Sequence, residues 1–379
     1  MNYSIFKHII GIIMTLLLIG CSTQKKVAEQ EEVKNIIIKV NDYWQGNHEP
    51  QRRSFWDHAA YHTGNIAAYE ITKKEAYKNY ALAWAEHNEW EGAKSNDPNE
   101  WKYKYGETDD YVLFGDWQIC FQTYIDLYNL SEEKSEKMVA RAKEVMQYEM
   151  STHRNDYWWW ADGLYMVMPV MTKLYNLTGD EQYLDKLYEY FSYSKDIMYD
   201  TETGLFFRDA RYVFPKHTSM NGMKDFWARG DGWVFAGLAK VLQDVPADWE
   251  HKAYFEDIYK KMAFTLKTAQ QEDGYWTRSI LDPKHAPGPE TSGTAFFTYG
   301  YLWGINNGIL SKGEYLPVVE KSWEYLTNTA LNENGKIGYI QPIGERAIPG
   351  QHVDENSTAD FGVGAYLLAA TEMYKFVSK

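Results

Sequence analysis

From residue 33 to the C-terminus, apolar side chains recur at helical spacing in about twelve successive stretches, and no convincing run of alternating strands interrupts them. The stretches fall near 33–45, 54–71, 74–89, 110–129, 131–149, 158–178, 180–197, 224–244, 249–270, 291–309, 312–331 and 357–377. Met138, Ala142, Val145 and Met146 illustrate the spacing. The breaks are short and carry Gly, Pro or Asn, as in NDPNE at 96–100 and DPKHAPGPE at 282–290. Two segments, 204–214 (GLFFRDARYVF) and 274–280, are expected to form short hairpin arms. About twelve helices with no linker between halves predict one all-α domain. Helices paired around a ring would make an (α/α)6 barrel. An open solenoid competes, but the chain has no repeat of fixed length or solenoid signature.

The N-terminus is set apart from this pattern. MNYSIFKH carries Lys7, and IIGIIMTLLLIG at 9–20 is apolar but too short for an ordinary membrane span. It runs into Leu18-Ile19-Gly20-Cys21, which resembles a bacterial lipobox. That reading makes 1–20 a lipoprotein signal peptide, Cys21 the lipidated residue, 21–32 a polar tether and 33–379 the folded domain. Ser22 after the cysteine resembles outer-membrane sorting, so the expected location is the bacterial envelope, facing periplasm or exterior. An uncleaved anchor or an ordinary signal peptide is the alternative. With Cys21 lipidated, Cys120 is the other of two cysteines, and an internal disulfide is excluded. Cys120 sits in an apolar run and is expected to be buried.

The net charge of −14 leaves no basic stripe, which argues against nucleic acid as a partner. Local arginines can still hold an anionic small molecule. The chain has 15 Trp, 31 Tyr and 16 Phe. Flat rings suit a large helical core, which composition alone favours, and also a sugar cleft that needs apolar platforms with polar edges.

Four stretches carry candidate chemistry. WWWADGLYMVMP at 158–169 puts Asp162 after three tryptophans. On a continuous helix Trp158, Asp162, Tyr165 and Met166 would share a face. Asp162 is either a helix cap or an acid whose pKa is raised by burial among rings. GDWQICFQTYIDLY at 115–128 places Asp116 ahead of an apolar face. A second carboxylate near Asp162 would raise its pKa further, and a cap or surface acid is the plainer reading. FWARGDGWVFAGL at 226–238 alternates Trp227, Arg229 and Trp233 with two glycines. This suits a carboxylate fork between indoles, or a structural arginine paired with Asp231. GLFFRDARYVF crowds Arg208, Arg211 and Tyr212 together. They suit an anionic ligand, or bridges to Asp209 and helix ends. The sequence lacks HExxH, CxxC, phosphate-loop, dinucleotide and GxSxG patterns, and it has no convincing paired-histidine metal spacing. Asp109-Asp110 has no third acid at the spacing of an aspartate-rich metal motif.

Together these stretches resemble the unsaturated glucuronyl and rhamnogalacturonyl hydrolases, glycoside hydrolase families 88 and 105, with the nearer match to family 105. WWWADGLYMVMP, FWARGDGWVFAGL and GDWQICFQTYIDLY are similar to the family's helix-start motifs. WDHAAYHTGNIAAYEIT at 56–72, PETSGTAFFTYGYLWGINNG at 289–308 and FGVGAYLLAATEMY at 361–374 extend the likeness over the whole mature chain. The resemblance implies an (α/α)6 barrel and no metal or organic cofactor. It implies a substrate with a 4,5-unsaturated uronic acid at its non-reducing end, as polysaccharide lyases leave behind. Asp162 falls on the family's acid/base position and Asp116 on its second aspartate. Trp56, Trp227, Arg229 and Trp233 fall on cleft positions. Arg208 stands where some members have His, a departure that bears on the substrate. Rhamnogalacturonan, ulvan and glycosaminoglycan fragments are the expected sources, in that order. A lipid-anchored glycan-binding protein is the competing class, and a sugar epimerase ranks last for want of paired histidines.

Overall fold

The computed structural model describes residues 29–102 and 112–379. The expected signal peptide, Cys21 and Asp109-Asp110 lie outside those residues. The first helix, α1, covers 29–47, so the last four residues of the expected tether are helical. Then follow α2 (Trp56–Thr72) and α3 (Glu75–His87). The next arm is broken at Ile119 into α4 (Gly115–Gln118) and α5 (Cys120–Leu130). After it come α6 (Lys137–Ser151), α7 (Ala161–Thr178), α8 (Gln182–Met198), α9 (Ala228–Asp244) and α10 (Lys252–Ala269). The last three are α11 (Thr291–Asn306), α12 (Lys312–Tyr325) and α13 (Asp360–Ser378). Every expected helical stretch is therefore present among the described residues.

Alternate arms form an inner ring. α2 packs on α5, α5 on α7, α7 on α9, α9 on α11, α11 on α13, and α13 closes back on α2. The outer arms pack behind them, giving an (α/α)6 barrel. Sequence explains the division. Inner helices are buried nearly all round, as in α11, where every residue from Thr291 to Gly304 is buried. Outer helices carry one apolar stripe, as in α8 with Tyr183, Leu184, Leu187, Tyr190, Phe191 and Met198. Cys120 is fully buried, and burial pushes its thiol well above the ordinary range.

The α2–α13 seam is the tightest. A Cβ on Gly64 would collide with the backbone of Gly364, and one on Gly364 with the Ala60 carbonyl. Two glycines facing each other let the backbones touch.

Inner helices all run the same way, because each follows an antiparallel outer arm. Their C-terminal halves converge on a cavity of about 100 Å³, lined by Glu70 of α2, Asp126 of α5, Lys173 of α7, Lys240 of α9, Tyr299 of α11 and Glu372 of α13. Lys173 pairs with Asp126, and Lys375 with Glu372 at 2.6 Å. Lysines suit the negative ends of helix dipoles. The N-terminal ends converge on the opposite mouth.

The expected hairpin arms do not form. Each segment instead makes isolated antiparallel bridges, Tyr199 to Phe206, Trp160 to Asp209 and Trp227 to Ser279. The reason is capping. The residues before α7 and α9 are Trp160 and Trp227, which offer no side-chain cap. The first amide of α7 donates instead to the Arg208 carbonyl at 2.8 Å, and that of α9 to the Arg278 carbonyl at 2.9 Å. The first amide of α11 likewise donates to the Tyr339 carbonyl at 2.8 Å. Their main-chain groups serve helix ends rather than a strand partner.

The seam makes a stability prediction. Gly364→Ala should lower unfolding stability by ~1–3 kcal/mol through overpacking against rigid backbone, read from urea midpoints at unchanged slope. An unchanged midpoint would show that the two helices can part at no cost.

Candidate active site

Three candidate side chains occupy the same position on three inner helices. Asp116 is the second residue of α4, Asp162 of α7 and Arg229 of α9. Trp56 opens α2, and Asp360 opens α13. All therefore stand at the N-terminal mouth. Asp162 is not an N-cap, since Trp160 holds that place. Nor does Trp158 share its helical face, because α7 begins three residues later and Trp158 packs edge-on against Tyr190, centroids 5.2 Å apart.

Asp162 is buried beside Arg208. Arg208 Nε lies 3.4 Å from Asp162 Oδ2, and neither atom has a hydrogen-bond partner. Burial raises the Asp162 pKa, while Arg208, Arg229 and the residue's own amide pull it down, and Asp209 pushes it up. Asp209 is thus a like charge acting on Asp162 that the sequence had not singled out. Arg208 Nη1 donates to Asp209 Oδ2 at 2.8 Å, and its guanidinium lies over the Trp159 ring at 5.8 Å. Arg211 donates to both Asp209 oxygens, at 3.0 and 2.8 Å, and to Glu345 at 2.9 Å. Tyr212 donates to the other Glu345 oxygen at 2.6 Å. Arg208 is buried and committed to the Asp162 side, whereas Arg211 is 55% exposed at the rim.

Arg229 does not pair with Asp231. Its two terminal nitrogens donate to the carbonyls of Gln341 and Pro342, at 2.7 and 2.9 Å. Its plane is held between Trp227 and Phe361, each centroid 4.6 Å away. Burial lowers its pKa to about 10, against the attraction of Glu290 and Asp162. Asp231 faces elsewhere and accepts the Phe206 amide at 2.8 Å. Burial raises its pKa well above the carboxylate range. It anchors the loop that carries Arg208.

The tryptophans differ from the expectation of open platforms. Trp233 is wholly buried, packed on Phe296 at 4.5 Å, Tyr165 at 4.9 Å and edge-on to Trp56 at 6.3 Å. Trp227 is 3% exposed, with Arg229 over its ring and its Nε1 donating to Gln341 at 2.8 Å. Trp56 is 8% exposed and packs on Phe361. These rings line and stiffen the mouth without presenting a bare face to solvent.

Some mouth residues had no signal of their own in the sequence. Glu345 comes from a loop without periodicity. Glu290 does carry one, as an acid before an apolar helix. Its carboxylate caps α11 through the Ser292 and Gly293 amides, at 3.0 and 2.6 Å, and accepts the Gln341 amide at 3.1 Å. The WDH start of α2 supplies Asp57 and His58. His58 Nδ1 hydrogen-bonds Asp360, and Asp57 Oδ2 lies 4.0 Å from His58 Nε2. These three could offer ligand atoms to a metal, all within 4.8 Å of one another. Arg52 lies 3.9 Å from Asp360 and opposes a second cation there.

The α4 segment that carries Asp116 is held from behind. Gln118 donates to Glu149 Oε1 at 2.6 Å and to the Val112 carbonyl at 3.2 Å. Glu149 is buried, its other oxygen has no hydrogen-bond partner, and burial pushes its pKa up to about 8, against the Gln118 bond.

The model of Glycosyl Hydrolase Family 88 matches residues 28–377, and the chain belongs to that family. A solved glycosyl hydrolase family 88 protein from Bacteroides vulgatus is 55% identical, with a TM-score of 0.89 over 92% of this chain and 99% of that one. A second solved protein, described as a polysaccharide lyase, is 62% identical, with a TM-score of 0.90 over 92% of this chain and 98% of that one. A protein of Formosa agariphila, named unsaturated 3S-rhamnoglycuronyl hydrolase, is 38% identical over 223 residues. That match covers 58% of each chain, so this chain spans little more than half of that relative.

Glu149 makes stability depend on pH. A folded pKa near 8 against an ordinary 4.5 means its contribution is fully present below 4.5 and lost as pH rises to about 8. Glu149→Gln keeps the shape without the charge. Relative to wild type it should gain at least ~1 kcal/mol between pH 4.5 and pH 8 in urea unfolding. A difference constant with pH would mean that the carboxyl ionises freely in the fold.

Proposed function

We propose that this protein is a hydrolase that removes a 4,5-unsaturated uronic acid from the non-reducing end of lyase-cut oligosaccharides. The observation that carries this reading is the buried Asp162 oxygen facing the Arg208 Nε at 3.4 Å, both without hydrogen-bond partners. A buried acid and cation that meet without a hydrogen bond ask for a functional explanation, and a ligand at the mouth supplies one.

The C4=C5 bond of the substrate is an enol ether. Asp162, its pKa raised by burial, donates its proton to C4 as the double bond's electrons move to form the C–H bond. Positive charge develops at C5 and the ring oxygen. The Asp162 carboxylate then takes a proton from water, whose oxygen adds at C5. The resulting hemiketal opens, and the aglycone leaves. One carboxyl thus serves as acid and then base, with no second opposed carboxylate at the anomeric carbon. Asp116 orients the substrate. Arg208 and Arg211 hold the anionic groups, and Arg229, spent on two carbonyls, fixes the mouth with Trp227, Trp233 and Trp56. The convergent N-termini of the inner helices favour the uronate carboxylate.

The substrate order changes in the light of the relatives. The name of the 38% identical protein favours a rhamnose-linked unsaturated glucuronate over a rhamnogalacturonan fragment. Arg208 beside Asp162 and Arg211 at the rim suit such an anionic sugar. The Arg-Gly-Asp-Gly-Trp and Ala-Asp-Gly-Leu-Tyr motifs support a position nearer to family 105 within this group. The name of the 62% identical protein raises lyase action as a second reading.

The conjugated-uronate absorbance separates the readings by sign. With unsaturated disaccharides it should fall, deuterium from heavy water should appear at C4, and Asp162→Asn should slow the loss by at least ~100-fold. A rise on intact polysaccharide means a lyase, and an unchanged signal with measurable affinity means a binder. The lipobox supports a lipid anchor at Cys21 and an envelope location. Cys21→Ala should move the expressed protein from the membrane fraction to the soluble one, and retention in the membrane would refute the anchor.

A further inference from the structure

Outside the mouth, the end of α12 borders a groove of about 460 Å³, within the roughly 300–1,000 Å³ of small-molecule sites. Here the α-helix gives way to a π-helical turn, Leu326–Ala330, which brings Asn328 and Thr329 to the groove. Such turns are rare and occur frequently at functional sites. The facing wall is the 271–275 turn, pressed so closely on α12 that a Cβ at Gly274, φ +88°, would collide with the Lys321 carbonyl.

The lining has the chemistry of a sugar site. Tyr275 is half-buried, its ring 5.5 Å from that of Tyr325. Tyr325 is fixed by a 2.7 Å hydrogen bond to Thr291. Glu272, Asp273 and Glu324 line the groove against one lysine, Lys321. Carboxylates accept hydrogen bonds from sugar hydroxyls, Asn328 can donate and accept, and an aromatic ring offers a flat apolar face. The net negative lining repels uronate and sulfate groups.

We propose that this groove is a second carbohydrate site that takes a neutral sugar residue. The ligand class rests on the glycan-acting reading above. The wall between groove and mouth is thin. Thr291, which touches Tyr325, follows Glu290, whose carboxylate holds the Gln341 amide, and the Gln341 carbonyl holds Arg229.

Saturation-transfer NMR on the full chain tests this, with the methyl glycosides of rhamnose, galactose and xylose as probes. At least one should show transfer. Affinity should fall roughly 3- to 10-fold in Tyr275→Ala, as the loss of one ring contact predicts. The exposed-rim variant Glu324→Lys, which leaves the core untouched, should weaken binding as well. Asp162→Asn should not. Turnover of a short unsaturated disaccharide should be unchanged in Tyr275→Ala and Glu324→Lys. No transfer from any neutral glycoside, or transfer indifferent to both groove variants, overturns the proposal. Groove-dependent transfer in a protein with no hydrolase activity would leave this site standing and remove the catalytic reading instead.

Discussion

The first amide of an inner helix must find an acceptor, and in this barrel the acceptor comes from a loop. α7, α9 and α11 each donate that amide to a carbonyl in the loop that precedes the next inner helix, at Arg208, Arg278 and Tyr339. The main-chain bond satisfies a helix end that its own N-cap residue leaves unpaired at α7 and α9. It also pins the loop across the mouth. Arg208 arrives beside Asp162 because its own carbonyl caps the helix that carries Asp162. Capping and site assembly are one interaction.

Burial then sets the chemistry. Asp162 loses water and its pKa rises, yet Arg208 and Arg229 keep the ionised form within reach. A group that must give a proton and take one back needs that balance. Asp209 shows the opposite outcome two bonds of the network away. It is buried too, but Arg211 and Arg208 outweigh burial and hold its pKa below the ordinary value. Two aspartates within one arginine cluster are thus separated in role by hydrogen bonding, which Asp209 has and the Asp162 Oδ2 lacks.

Much of the rest is bracing. Asp231 holds the Arg208 loop through the Phe206 amide, Glu149 holds α4 through Gln118, and Glu290 holds the 341 segment that receives Arg229. Each is a buried acid with little contact to solvent, in the family 88 framework that the chain shares with its relatives. A protein with a net charge of −14 still gathers Arg208, Arg211 and Arg229 at one mouth, where the parallel helix ends add positive field.

The sequence by itself determined the helical arms and the apolar character that sorts them into inner and outer rings, because both are carried by spacing within a few turns. It also marked Asp116, Asp162 and Arg229, each written just inside a helix start beside glycine or tryptophan. The tertiary structure decided their partners. That Arg229 faces two carbonyls and not Asp231, that Trp233 and Trp227 are enclosed, and that Glu345 closes the arginine cluster depend on contacts between residues over a hundred positions apart. The 204–214 and 274–280 segments read locally as hairpin arms for the same reason. Their acceptors are spent on helix ends that adjoin them only after the ring has closed, and no local period in the chain records that.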